Sequence, residues 1–177
     1  MSHSSDHVKV AVAQPRGFPF QSAAALDRVC DWTRTAGADG AQLVLFPEAF
    51  VGGYPWGLAF GTAVGGRSEP GRRAFGRYWA SAIDVPGPET ERMGEAASSA
   101  GVHLAVGVIE RDSTTGRGTL YCTLLYFGPD GSLLGKHRKL KPTAAERLIW
   151  GEGDGSTMPV FETGIGRIGG LICWENY

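Results

Sequence analysis

The stretch GAQLVLFPEAFVGGYP, Gly40 to Pro55, carries the reading of the fold. Within it Gln42–Phe46 is an apolar run that does not alternate with polar residues, the pattern of a strand buried on both faces. Pro47 ends the run and Glu48 follows directly, ahead of a loop rich in glycine and aromatic residues that extends to Gly71. Upstream, Val8–Gln14 is a second short run, rich in valine and closed by Pro15, and it too reads as a strand. Between the two, Ser22 is placed to cap a helix that reaches about Ala36. That helix puts Leu26, Val29, Cys30 and Thr33 on one face, and Gly37 and Gly40 end it.

Downstream, helical spacing occupies Arg72–Ile83 and Glu89–Ala100, the second entered through Pro86-Gly87-Pro88. From Val102 the period changes. Val102–Glu110, Thr119–Phe127 and Ser132–Lys139 read as successive strands, with Gly128-Pro129-Asp130-Gly131 turning the chain between the last two. Thr157–Glu162 reads as an edge strand and Arg167–Ile172 as another apolar strand. The order β-α-β-α-α-β-β-β-β predicts an α/β layered fold with mixed strands. No repeat or low-complexity linker divides residues 8–177, which form one domain, and the polar residues 1–7 read as a disordered tail.

Seventeen Lys and Arg against eighteen Asp and Glu leave a net charge of −1. That balance argues against a nucleic-acid binder, which needs clustered positive charge. With 42% hydrophobic and 20% charged residues, the composition is that of an ordinary globular chain. The longest run free of polar, charged or Pro residues is Ile168–Trp174, seven residues, whereas a membrane helix needs about 20. Cys30, Cys122 and Cys173 are far apart and form no CxxC pair, which favours a reducing cytoplasm over a disulfide scaffold. His3, His7, His103 and His137 fit no zinc spacing, so no metal is expected. Glycine, 27 residues of 177, is roughly twice as frequent as usual and must serve tight turns or close backbone approaches.

Some motifs mislead. Gly164–Gly169 satisfies GxGxxG, yet a dinucleotide site needs a strand before it and a helix after it. Here the glycines precede a strand. Gly131–Gly135 ahead of Lys136 has the wrong spacing for a phosphate loop. The basic run Lys136–Lys141 reads as the solvated end of a strand, and the near-neutral charge weakens a phosphate-binding alternative.

Three reactive side chains remain just past apolar strands, where α/β folds place their chemistry. Glu48 is either a partly desolvated general base or a surface carboxylate. Lys139 is either a cation aimed at a developing anion or one more member of the basic run. Cys173, after Gly169-Gly170-Leu171-Ile172, is either a buried core thiol or a nucleophile on a strand-to-turn elbow. A thiol of ordinary pKa, about 8.5, is mostly protonated at neutral pH and needs a base or cation to act. Glu48 and Lys139 are one of each. Cys30 and Cys122 read as core residues, and Tyr54, Trp56 and Phe60 either line an apolar pocket or pack the loop down.

Taken as ordered segments, the chain resembles the nitrilase branch of the carbon–nitrogen hydrolase superfamily. Gly40–Pro55 resembles its first signature. Gly135–Thr143, with Glu146-Arg147 and Trp150–Gly155, resembles its lysine segment, and Gly169–Tyr177 its nucleophile segment. The resemblance covers nearly everything after Val8. It implies an α-β-β-α sandwich, left incomplete at the C-terminus because the family domain continues for about as much chain again. It implies Cys173 as nucleophile, Glu48 as general base, Lys139 as stabilising cation and Glu146 as a second glutamate that orients the lysine and substrate. The backbone N–H of Trp174 falls beside the nucleophile, and Tyr54 and Trp56 join Trp174 as expected substrate contacts.

The Cys-Trp-Glu form and the Gly-Gly-Tyr-Pro loop resemble nitrilases and cyanide-hydrolysing relatives more than aliphatic amidases. The implied reaction converts a small organic nitrile and water to a carboxylic acid and ammonia, through a covalent thioimidate and then a thioester. It needs no cofactor. A homo-oligomer, from dimer to spiral, is also implied. An amidase, a cyanide hydratase and a non-catalytic scaffold module remain the alternatives. A chain of this length alone is expected to expose an apolar sheet edge and to be unstable, aggregating or inactive.

Overall fold

Residues 7–112, 114, 116 and 118–177 are described by a computed structural model, so residues 1–6 of the expected tail lie outside the described residues. In chain order the elements are β1 (Val10–Val12), α1 (Ser22–Ala38), β2 (Leu43–Leu45), the hairpin β3 and β4 (Thr62–Ala63, Gly66–Arg67), α2 (Glu69–Ser81) and α3 (Pro88–Ala100). Then come β5 (His103–Arg111), β6 (Leu120–Phe127), β7 (Leu133–Arg138) and a second hairpin, β8 and β9 (Phe161–Thr163, Gly166–Ile168). Short 3₁₀ turns occupy Ala144–Leu148 and Cys173–Asn176.

One sheet of five strands runs β1-β2-β5-β6-β7. The first three are parallel, because a chain that returns through a helix re-enters the sheet in the same direction. The last two pairings are antiparallel. The link from β6 to β7 is the short Gly128–Gly131 turn, in which Asp130 Oδ1 accepts the Ser132 N–H at 3.0 Å and Gly131 adopts φ 86°.

Period-two alternation sorts β5 and β6 into two faces. Leu104, Val106, Val108, Leu125 and Phe127 pack against Ala25, Leu26, Val29 and Cys30 of α1 and Met93, Ala96 and Ala97 of α3. Burying each large side chain there contributes about 1.5–3 kcal/mol, so this face is the scaffold. Ala105, Ile109, Cys122, Leu124 and Tyr126 face the other way and cluster with Phe60, Tyr78, Trp150 and Ile172. Cys30 and Cys122 are both buried, as expected.

Several local expectations are corrected. The cap position of α1 belongs to Gln21, with no side-chain cap bond, and Ser22 is already inside the helix, which continues to Ala38. The glycine-rich loop stops short of Gly71, because it contains the β3–β4 hairpin and α2 starts at Glu69. Ser68 caps α2, its Oγ accepting the Gly71 N–H at 3.3 Å, and Pro70 lies in the first turn. Ser-Glu-Pro is a helix-start signal hidden among glycines.

Burial of β2 is one-sided: Val44 and Phe46 are buried, but Leu45 is 38% exposed. Val12, its partner on β1, is 64% exposed. Helices cover only the opposite face of these strands.

The C-terminal strands are also shorter than expected. Pro159 lacks a ladder donor, and β8 begins only at Phe161. β9 covers Gly166–Ile168 and pairs with β8 alone, so Gly164–Gly169 forms a hairpin and not a strand–loop–helix unit. Gly169–Ile172 leaves that ladder and crosses the face of β6, where Tyr126 Oη donates to the Gly170 carbonyl at 3.3 Å. A Cβ on Gly170 would come within 2.9 Å of both Leu124 and Tyr126.

The basic run is not solvated as a whole. Lys136 and Arg138 project to the scaffold face, 2.5 and 2.6 Å from buried Glu110, while His137 and Lys139 are buried on the other face. Only Lys141 of the run keeps a mostly exposed side chain, paired with Glu152.

Candidate active site

Glu48 is placed by an interruption in strand pairing. Phe46 N–H donates to the Ala105 carbonyl at 2.9 Å, and pairing to β5 resumes when Val51 N–H donates to the Gly107 carbonyl at 3.1 Å. Between these bonds the chain bows away from β5, with Ala49 at φ 52°. The bow leaves Glu48 half-buried on the face opposite the α1–α3 layer, over Gly107.

Lys139 follows β7, fastened by its N–H to the Cys122 carbonyl at 2.8 Å, and is 1% exposed. Its Nζ donates to Glu48 Oε1 and to Glu146 Oε2, both at 2.8 Å, and lies 5.7 Å from the centre of the Trp150 ring. Burial works against the lysine charge, but the bonds to Glu146 and Glu48 outweigh it and hold the pKa above the ordinary lysine value. A buried ammonium between two carboxylates is a strong tie: removing one partner of such a pair costs about 3–5 kcal/mol.

Glu146 sits in the 3₁₀ turn after β7. Its Oε2 also accepts the Thr143 N–H at 2.6 Å, and its Oε1 accepts the Tyr54 hydroxyl at 2.6 Å. Burial would raise the Glu146 pKa, yet Lys139, Tyr54 and the Thr143 N–H together hold it below the usual carboxylate value. Burial and the bond to Glu146 push the Tyr54 hydroxyl pKa up. Both oxygens of Glu146 are therefore engaged. On Glu48, Oε1 takes Lys139 and the Cys122 thiol, whose Sγ lies at 3.5 Å, and Oε2 has no partner among the described residues. Burial first, and then the Glu48 charge, raise the Cys122 pKa well above normal, so this thiol stays a donor.

Cys173 opens the last 3₁₀ turn at φ 57°, exposed to solvent. Left-handed backbone costs a non-glycine residue about 1–2 kcal/mol, and such outliers gather at functional sites. Its thiol makes no hydrogen bond among the described residues. It meets Glu48 across a cavity of about 170 Å³ that Gly107, Cys122, Leu124, Leu171 and Ile172 also line. The amide of Trp174 is among the first N–H groups of the turn, which have no acceptor within it. A larger concavity of about 720 Å³, by the β8–β9 hairpin, contains none of these groups.

The aromatic residues divide. Phe60 is buried and stacks on Tyr78 with ring centres 5.4 Å apart, so it packs the loop. Tyr54 is spoken for by Glu146. Trp56, 86% exposed, borders with Tyr54, Leu148 and Ile149 a hollow of about 580 Å³. Trp174 is 65% exposed, its ring tilted 41° to that of Tyr177 with centres 5.2 Å apart. Sequence reading missed that Cys122 touches Glu48. Alternation puts Cys122 on one face with Leu124 and Tyr126, but only the strand register and the bow at Glu48 reveal which carboxylate lies over that face. Among the described residues no cluster of His, Cys, Asp or Glu could hold a metal ion, and no helix is long and apolar enough to cross a membrane.

Residues 9–177 match the carbon–nitrogen hydrolase family. The chain is 54% identical over 172 residues to nitrilase 3 of Arabidopsis thaliana, covering 97% of this chain and 49% of that protein. It is 53% identical over 169 residues to a bifunctional nitrilase/nitrile hydratase of Lupinus angustifolius, covering 96% of this chain and 47% of that one. A nitrilase of Bradyrhizobium diazoefficiens is 51% identical over 176 residues, 99% of this chain and 54% of its own. The chain thus spans about half the length of these relatives. Among solved structures, a double mutant of the amidase from Nesterenkonia sp. AN1, in complex with acrylamide, superposes with a TM-score of 0.72 at 18% identity. That match covers 99% of this chain and 59% of the amidase and shows a shared α/β fold.

Proposed function

Because this chain belongs to the carbon–nitrogen hydrolase family, we propose that it hydrolyses an organic nitrile to the carboxylic acid and ammonia by covalent catalysis at Cys173. The observation that carries the reading is the cavity that Glu48 and Cys173 share, with Lys139 held 2.8 Å from that same Glu48. Glu48 Oε2, free of other partners, takes the thiol proton. The sulfur then bonds to the nitrile carbon, the displaced C≡N π pair goes to nitrogen, and that nitrogen takes the proton from Glu48. The product is a thioimidate with Glu48 again a carboxylate, and one hard hydrolysis is divided into easier steps.

Lys139 stays an ammonium at neutral pH and is a donor, not a base. Two of its three protons are committed to Glu48 and Glu146, and the third is available to the substrate nitrogen. With the Trp174 N–H it stabilises charge developing there, a contribution of roughly 3–4 kcal/mol per donor in acyl-transfer sites. Water activated by Glu48 adds to the thioimidate, ammonia departs and a thioester remains. A second water releases the acid and restores the thiol. Glu146, with both oxygens bonded, holds the lysine and takes no proton.

The tetrahedral adduct can instead expel the thiolate and leave an amide. The 53% identity to a bifunctional nitrilase/nitrile hydratase favours measuring both products. The three free thiols suit a reducing cytoplasm, and the homo-oligomer rests on the family resemblance, to be checked by sedimentation.

The test is ammonia release from aromatic and aliphatic nitriles by the complete protein and by its Cys173→Ala and Glu48→Gln variants. Loss of a nucleophile or general base is expected to lower the rate at least about 10²–10⁴-fold. Unchanged release by Cys173→Ala would sink the mechanism.

A further inference from the structure

Glu175 lies two residues past Cys173 and is anchored away from solvent. Its Oε2 accepts the Ile172 N–H at 2.6 Å and faces His137 Nε2 at 2.8 Å, while its Oε1 accepts the Leu140 N–H at 2.6 Å. Ile172 immediately precedes Cys173, Leu140 immediately follows Lys139, and His137 is two residues before that lysine. The His137 ring is fully buried, and its Nδ1 faces the Thr157 carbonyl at 2.7 Å. Each ring nitrogen thus has an oxygen partner from a different segment.

We propose that Glu175 and His137 are positioning residues that tie the Leu171–Ile172 peptide, one residue ahead of Cys173, to the Lys139–Leu140 peptide and so set where the thiol stands. The proposal rests on the covalent reading of Cys173. Two observations carry it. Cys173 is held in left-handed backbone although its own side chain bonds to nothing among the described residues. Such a conformation persists only where the surroundings over-determine it, and the Glu175 bonds, with Asn176 Nδ2 donating to the Cys173 carbonyl at 2.8 Å, are what surrounds it. Second, no hydrogen bond joins the side chains of Lys139 and Cys173 among the described residues. The Glu175 carboxylate bridges the two segments by accepting a backbone N–H from each, Leu140 on one side and Ile172 on the other. Burial would raise the Glu175 pKa, but the Leu140 and Ile172 N–H groups and His137 hold it below the usual carboxylate value, so the tie is anionic at neutral pH.

The test uses the complete protein. Glu175→Gln keeps the size but turns an amide N–H toward a backbone N–H. It is expected to lower kcat for nitrile hydrolysis about 100-fold, the scale of a 1 Å misplacement, with KM changed less than about threefold. Alkylation of Cys173 by iodoacetamide is expected to slow about tenfold as the thiol loses its base. His137→Gln places an amide where Nε2 stood and keeps the Glu175 bond, and it is expected to retain most of the rate. His137→Asn places one where Nδ1 stood, keeps only the Thr157 bond, and is expected to lose as much as Glu175→Gln.

Wild-type kcat and alkylation rate in Glu175→Gln would overturn the proposal, as would equal losses in the two His137 variants, which a merely structural ring predicts. Should Glu175→Gln not fold, the His137 pair decides alone. Should the unmodified protein release no ammonia from any nitrile, the nitrile reading fails, and the alkylation rates still judge the tie.

Discussion

Gly107 of β5 and Glu48 meet backbone to backbone: a Cβ on Gly107 would lie 2.7 Å from Glu48 Cα and 2.3 Å from the Pro47 carbonyl oxygen. No side chain fits between the sheet and the bowed segment, so the absence of one sets the height of Glu48 above the sheet. That height brings its carboxylate within reach of Lys139 and Cys122.

Gly107→Ala is therefore expected to lift the Pro47–Ala49 segment. Overpacking of this kind costs about 1–3 kcal/mol, and, on the proposed role of Glu48 as base, its displacement is expected to lower nitrile hydrolysis about 10²-fold. Urea unfolding and ammonia release on the complete protein measure the two effects. An alanine variant as stable and active as the parent would show that Glu48 is seated by something else.

Tyr54→Phe separates two roles for that ring. If Tyr54 acts through its hydroxyl on Glu146, the variant keeps its aromatic wall and KM, but forfeits a bond to a charged group that contributes about 1.5–3 kcal/mol. The expected result is a kcat lower by at least about tenfold at that magnitude. Unchanged kcat would leave Tyr54 with only the ring to offer.

Acid should weaken the fold through identifiable groups. Burial opposes ionisation of Glu110, but Arg138 and Lys136 outweigh it, and Glu146 and Glu175 are likewise held below the ordinary value. With folded pKa values depressed below the unfolded one of about 4.3, the native state binds fewer protons than the unfolded chain in that range. The stability these carboxylates contribute is present above about pH 4.3 and is lost as pH falls through their folded values. Denaturation of the complete protein at a series of pH values is expected to show a falling limb below that point, and Glu110→Gln is expected to flatten it. An unaltered slope in the variant would remove Glu110 from the account.

Much of this was legible from order and period. The α1 and α3 helices and the long strands β5, β6 and β7 follow their predicted spans closely, because glycine and proline turns mark their ends and the apolar runs of β5 and β6 are long. The weaker elements depart from their sequence patterns for equally physical reasons. Gly169–Ile172 is apolar enough for a strand, but a strand needs a partner edge, and this segment lies across a sheet face. The basic run looked solvated because linear charge density does not show that alternation sends Lys136 and Arg138 to one face and His137 and Lys139 to the other.

By itself the sequence determined the residue types at the strand ends, the α/β order and the family segments that hold Glu48, Lys139, Glu146 and Cys173. Those are local matters of spacing and composition. Only the tertiary structure decided which of these groups touch: Lys139 between two carboxylates, Cys122 against Glu48, Tyr54 on Glu146, and Glu175 reaching back to Leu140 and His137. Hydrogen bonds act over about 3 Å, and such distances between residues far apart in the chain are set by strand register and by the close approach at Gly107.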